Sequence, residues 1–273
     1  MHRSCILNFL IAFLWALAGK PADAQSLLQR PEYSAESIAN AAGTQAGRLA
    51  PNTIMSIYGT RLSQFSWQIG AQELLNRVLP TSTPRGEVYV QMQGRRLPLF
   101  FVSPGQINVL IPPDTVPGLK EITVHRDLTA GLPVVIRVES EAPEFFRIAE
   151  GFAAATHLDG RTVSAQAPAE AEEVIVIYGT GFGALLVAEE GVLVPTRPSE
   201  VRRGREYRFT VDGVELAANA VLYVGVTPGF AGLCQVNVKL PGELEENAQI
   251  GIGLGENRSA RDLKLYTRKS ATK

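Results

Sequence analysis

Several groups of residues in this chain have types and spacings that could do chemistry. Gly179-Thr180-Gly181-Phe182-Gly183 comes after a β-forming run, as a phosphate-cradling loop would. Such a loop needs a helix opening at its last glycine, whose amides meet the pyrophosphate, and an acidic residue about 20 positions on for the ribose. The next residues are Ala184-Leu185-Leu186-Val187-Ala188-Glu189-Glu190-Gly191, too short a run before its glycine for that helix, and Gly59-Thr60-Arg61-Leu62 repeats the start of the pattern elsewhere. A bulged strand end is expected instead. His125-Arg126-Asp127-Leu128 has the spacing of a kinase catalytic loop, but Leu132 stands where the metal-binding asparagine belongs, so it reads as a hairpin tip. His157 lies beside Asp159-Gly160, and neither it nor His125 has a second histidine at ligand spacing. Both read as solitary surface imidazoles, so neither a metal nor another cofactor is expected. No Gly-x-Ser-x-Gly elbow occurs to present a serine nucleophile. The carboxylates of Glu170-Ala171-Glu172-Glu173, Glu189-Glu190 and Glu245-Glu246 sit in polar connections and read as solvated charge; a glycosidase would need two of them facing each other.

The most specific polar pairs are Gln106 with Asn108 and Gln235 with Asn237. Residues two apart in a strand share a face, so each pair points away from Ile107, Val109 and Ile111, or from Val236, Val238 and Leu240. Two readings are open. The pairs are equivalent polar ridges that bind a ligand, or their amides hydrogen-bond the adjoining Pro-Gly turns and fix register. Cys234 has the parity of Val236 and Val238, which predicts a core-facing, unreactive thiol.

The elements that carry these residues are written twice. Ile54-Met55-Ser56-Ile57-Tyr58-Gly59-Thr60 returns as Val174-Ile175-Val176-Ile177-Tyr178-Gly179-Thr180, and Val90-Gln91-Met92-Gln93-Gly94 as Phe209-Thr210-Val211-Asp212-Gly213. Gln106-Ile107-Asn108-Val109 returns as Gln235-Val236-Asn237-Val238. Ile122-Thr123-Val124 and Ile250-Gly251-Ile252 come late in each copy, with Val134 to Val138 and Leu263 to Tyr266 after them as closing strands. Val88, Val90 and Met92 alternate with polar neighbours, as do Tyr207, Phe209 and Val211, which is the period of a half-buried strand. Helical periodicity is confined to a turn or two around Leu74, Leu75, Val78 and Leu79. The chain therefore reads as all-β, with two tandem antiparallel β-sandwich domains at 25–142 and 143–273.

With 26 basic and 27 acidic residues the net charge is −1, which offers nothing to nucleic acid or to an anionic membrane surface. Met1-His2-Arg3, the apolar run from Cys5 to Ala18 and Ala22-Asp23-Ala24 read as a signal peptide, residues 1–24, cut after Ala24. The apolar run is shorter than the roughly 20 residues a membrane span needs, so no span is expected after cleavage. Export to the periplasm, the cell surface or the medium is the consequence. Cys5 leaves with the peptide, and Cys234 then has no disulfide partner within its own chain.

Leu49-Ala50-Pro51, Ile57-Tyr58-Gly59-Thr60, Leu79-Pro80-Thr81, Val102-Ser103-Pro104-Gly105-Gln106-Ile107-Asn108, Gly179-Thr180-Gly181-Phe182-Gly183 and Gly232-Leu233-Cys234-Gln235-Val236-Asn237 together resemble the acidobacterial Solibacter-type C-terminal domain family. The resemblance spans roughly Ile38 to Tyr266. It implies an exported module of tandem immunoglobulin-like sandwiches, usually at the end of longer surface proteins, with no activity attached. Asn52 stands where that family usually has glycine. The function expected is a non-catalytic module for adhesion, binding or spacing at the cell surface, with a surface protein or a glycan as partner. The alternative is a secreted hydrolase acting on carbohydrate.

Overall fold

The computed structural model describes residues 30–43, 45–70, 79–148, 151–186 and 197–270. The expected signal peptide, with Cys5, and the helical turn expected at Leu74, Leu75 and Val78 lie outside the described residues. Leu79 is a buried loop residue. No helix among the described residues is long and apolar enough to cross a membrane.

The chain is all-β. Its first half holds β1 (Ile38–Asn40), β2 (Ile54–Tyr58), β3 (Trp67–Gln68), β4 (Val88–Met92), β5 (Arg95–Arg96), β6 (Leu99–Val102), β7 (Gln106–Leu110), β8 (Gly118–Arg126), β9 (Thr129–Ala130) and β10 (Val134–Val138). Its second half holds β11 (Glu144–Phe145), β12 (Ala155–His157), β13 (Val174–Thr180), β14 (Ser199–Glu200), β15 (Arg208–Val211), β16 (Val214–Glu215), β17 (Val221–Val226), β18 (Cys234–Lys239), β19 (Ile250–Leu254) and β20 (Asn257–Arg258). All strand ladders among the described residues are antiparallel.

The repeat in the sequence is a repeat in topology. One sheet runs β1-β2-β7-β6-β3 and its counterpart β11-β13-β18-β17-β14; the facing sheets run β10-β8-β4-β5 and β16-β15-β19-β20. Each pair of sheets closes on its own apolar cluster. Met55, Ile57, Ile107 and Val109 meet Val88, Val90, Ile122 and Val124 in the first half, and Ile175, Ile177, Val236 and Val238 meet Phe209, Val211, Ile250 and Ile252 in the second. Period-two alternation produces this arrangement, since one parity of every strand turns inward. Gln93 and Gly94, and again Asp212 and Gly213, take positive φ, the backbone of the two-residue hairpin turn that suits the strands' twist.

The copies differ at their ends. Val134 to Val138 forms β10 against β8, whereas Leu263 to Tyr266, expected to be its counterpart, forms no ladder. Lys264 makes isolated bridges to Phe152 and Gln249, and Leu263 and Leu265 are still buried, so the segment fills the core without joining a sheet. Within β13 the register runs without a shift through Gly179. Close approach of the linker explains the glycine-rich composition here. A Cβ at Gly179 would lie 2.4 Å from the Glu144 carbonyl oxygen, and one at Gly181 2.2 Å from that of Ala142.

The halves meet at a polar junction. Thr180, wholly buried, accepts a hydrogen bond from the Ile54 amide at 3.0 Å and donates one to the Gly232 carbonyl at 2.7 Å. Leaving either backbone group unpaired here would cost about 1–3 kcal/mol. Asn40 Nδ2 donates to the Ala142 carbonyl at 3.1 Å, and Arg48 pairs with the buried Glu144 at 2.8 Å. Asn52 has φ 63°, so asparagine supplies the left-handed turn for which glycine is the usual choice. A small apolar cluster of Leu79, Leu110 and Ala231 closes the joint.

Because each half encloses its own apolar cluster, residues 25–142 and 143–273 expressed separately are expected to give two cooperative melts. Each should melt below the full chain, having lost the junction. Circular dichroism melts of the three proteins check this, and non-cooperative loss of signal in both halves would show that neither cluster stands alone.

Candidate functional site

The two amide pairs occupy equivalent places. On β7, Gln106 Nε2 donates to Asn108 Oδ1 at 2.8 Å; on β18, Gln235 Nε2 donates to Asn237 Oδ1 at 3.0 Å. All four residues are half-buried on the sheet face opposite the core. The turn before β7 is held by other atoms, since Ser103 Oγ accepts from the Gln106 amide at 3.0 Å and the Ser103 amide donates to the Gln106 carbonyl at 2.8 Å.

Directly opposed residues of antiparallel strands stand side by side on one face. Tyr58 is thus the neighbour of Gln106, and Phe101 and Ser56 flank Asn108. In the second half Tyr178 is the neighbour of Gln235, and Tyr223 flanks Asn237. Each face therefore presents a tyrosine, two amides and a second aromatic ring, in the same order. Tyr58 is 47% exposed, so its ring is open to a ligand. Each glutamine gives one N–H to the asparagine's oxygen, and among the described residues no hydrogen bond engages Gln Oε1 or Asn Nδ2. Each pair offers the glutamine oxygen as acceptor beside the N–H groups of the asparagine amide as donors, and none of these eight residues is Asp, Glu, Lys, Arg or His.

The other candidates resolve into structure. His125 lies near the end of β8 and stacks on Tyr89, with ring centroids 4.4 Å apart, beside the β8–β9 hairpin. His157 is not the surface imidazole its sequence neighbours suggest. It is 7% exposed, with Nδ1 2.5 Å from Glu173 Oε1 and Nε2 3.1 Å from the Ala167 carbonyl. Sequence proximity to Asp159-Gly160 hid this, because β12 turns the ring toward a carboxylate 16 residues away. Glu170 pairs with Arg268, Glu172 with Lys239 and Glu245 with Lys269, while Glu189 and Glu190 lie outside the described residues. Among the described residues no three His, Cys, Asp or Glu side chains are placed to hold a metal ion.

Cys234 is wholly buried, as its parity predicts, and takes a weak hydrogen bond from Asn52 Nδ2 at 3.8 Å. Burial pushes its thiol up to about 12, so little thiolate exists at neutral pH.

No family model matches the chain, and no curated protein matches it. Among solved structures, SGBP-B of the Bacteroides ovatus mixed-linkage glucan utilization locus, in complex with a mixed-linkage heptasaccharide, aligns over 84% of this chain and 40% of its own, at 10% identity and a TM-score of 0.29. The C-terminal domain of the Streptococcus agalactiae AgI/II polypeptide BspA aligns over 85% of this chain and 99% of its own, at 8% identity and a TM-score of 0.21. At these scores neither likeness bears on what the chain does.

The buried groups lead to two expected outcomes. Native protein is expected to resist thiol labelling at Cys234 and to run as a monomer without reductant, labelling fully only in denaturant; rapid native labelling would show the β18 register to be wrong. The Glu173 hydrogen bond raises the pKa of His157 above its ordinary 6.5, so the fold favours the imidazolium. That stabilisation is fully present below the unfolded pKa and is lost as pH rises through the raised folded value. Melting temperatures from about pH 6 to pH 9 should therefore show His157→Gln destabilised most at the acid end, with the gap to wild type closing as pH rises.

Proposed function

We propose that the chain is an exported, non-catalytic tandem β-sandwich module that binds a neutral glycan through its outer sheet faces. The observation that carries this is the duplicated arrangement of Tyr58, Gln106 and Asn108, matched by Tyr178, Gln235 and Asn237, with an acceptor oxygen beside N–H donors in each amide pair. A vicinal diol needs that combination, because each sugar hydroxyl both donates and accepts. Aromatic rings beside the amides supply the apolar surface on which a pyranose ring's C–H face rests. The eight residues carry no charged type, and Lys239, which shares the β18 face, is paired with Glu172, which favours a neutral ligand over a uronate or a phosphate. Membership of the Solibacter-type C-terminal domain family, which the Ser-Pro-Gly-Gln-Ile-Asn segment suggests, agrees with an exported module. The catalytic alternative needs paired facing carboxylates, whereas Glu170, Glu172 and Glu245 each hold a surface cation.

Affinity electrophoresis of the full chain against soluble β-glucan, xylan and mannan tests the reading. Retardation by at least one polymer is expected, with no reducing ends released on long incubation. Changing all four amides to alanine should weaken binding by about tenfold or more, corresponding to about 1.4 kcal/mol. Tyr58→Ala, which removes a half-exposed ring without touching the core, should weaken it measurably while the melt is unchanged. Undiminished binding in both variants, or sugar release, would overturn the proposal.

A further inference from the structure

We infer that one extended neutral polysaccharide chain lies across both faces at once, touching the Gln106–Asn108 pair and the Gln235–Asn237 pair with the loop that carries Phe230 between them. This rests on the glycan-binding reading and adds to it the form of the ligand: a polymer of several rings, not a free sugar or a chain end.

The junction places the faces in line. Ile54 has the parity of Ser56 and Tyr58, and Thr180 has the parity of Tyr178, so both project from the faces that carry the amide pairs. Both meet one residue of the 227–233 loop. Thr180 Oγ1 donates to the Gly232 carbonyl at 2.7 Å, and a Cβ at Gly232 would lie 2.8 Å from Ile54 Cγ1 and 2.7 Å from Leu110 Cδ1. β13 ends at this point and β2 begins there, joined by the bond from the Ile54 amide to Thr180. Tyr58 is four residues from the joint on one side and Tyr178 two on the other. At ~3.3 Å per strand residue these six residues cover about 20 Å, and the step across the Thr180–Ile54 bond adds about 5 Å, so the rings stand roughly 25 Å apart, the reach of an oligosaccharide of about five pyranose rings.

The loop itself is shaped for contact at the midpoint. The Thr227 amide donates to the Leu233 carbonyl at 2.8 Å and closes its base, and Gly229 takes φ 84° at its tip. Ala231 is buried against Leu110 and Leu79, which anchors the loop to the first half, yet its neighbour Phe230 is 49% exposed. A large apolar side chain left half in water, on a loop anchored on both sides, lies between two sets of aromatic and amide groups. One ligand that spans all three gains the effective concentration of a linked second site.

Isothermal titration of the full chain with cello-, xylo- and manno-oligosaccharides, from disaccharide to octasaccharide, tests the span. For the series that binds, affinity is expected to rise by more than about tenfold once the ligand reaches about five rings, with one ligand bound per chain. Gln106→Ala with Asn108→Ala, or Gln235→Ala with Asn237→Ala, should each abolish that rise and leave short-ligand affinity at the remaining face. Phe230→Ala should lower affinity for long ligands only. Two independent sites per chain with affinity flat in length would overturn the span and leave the glycan reading standing. Failure of every oligosaccharide to bind wild-type protein would overturn both.

Discussion

The hydroxyl of Thr180 holds the two halves in register. It lies in no solvent, and it uses both its capacities on backbone groups that would otherwise be stranded: the amide that begins β2 and the carbonyl of Gly232. A buried polar contact of this kind is directional in a way that apolar packing is not. The Leu79, Leu110 and Ala231 cluster alone would tolerate sliding. With Thr180, Arg48 and Asn52 fixed to named atoms across the joint, the outer faces of the two sheets keep one relation to each other.

The duplicated Tyr-Gly-Thr segments show how one local rule serves two ends. A Cβ at Gly59 would stand 2.2 Å from the Glu32 carbonyl oxygen, and one at Gly179 2.4 Å from that of Glu144, so in each half the glycine admits a neighbouring backbone that no side chain would allow. The threonines next in sequence have diverged in surroundings. Thr60 lies at the exposed end of the first half, 3.4 Å from the Glu32 carboxylate, while Thr180 is sealed in the joint. The same residue type is thus a surface group in one copy and the tie between halves in the other.

Much of the fold was legible because it is periodic. Strand parity placed Cys234 inward and the Gln-x-Asn pairs outward, and the internal repeat anticipated matching sheet orders. What escaped was set by contacts distant in sequence. His157 finds Glu173 only through the pairing of β12 with β13. The glycines after β13 answer to the linker backbone, which sequence read alone could present only as a loop or a bulge. Leu263 and Leu265 have the alternation of a strand and its burial, but they bond Ile250 and Ala248 while Lys264 between them bonds Gly151 and Ala153, so isolated bridges form in place of a ladder. The side-by-side placement of Tyr58 with Gln106 needed the strand register, which periodicity does not supply.

The edges of the sheets bear on how copies of this chain tolerate one another at high concentration. Among the described residues, β3, β5, β11, β14, β16 and β20 close their sheets with two residues each, and β5 is Arg95-Arg96. Edges so short give an incoming strand almost nothing to zip against. β10 differs, with five residues paired to β8, its other side bridged at Val138 to Leu49, and Val135 standing out in solvent beside Arg137. Self-association by strand addition therefore has one template of useful length in the first half. Arg137, paired with Glu139 just beyond the strand, puts charge along that edge.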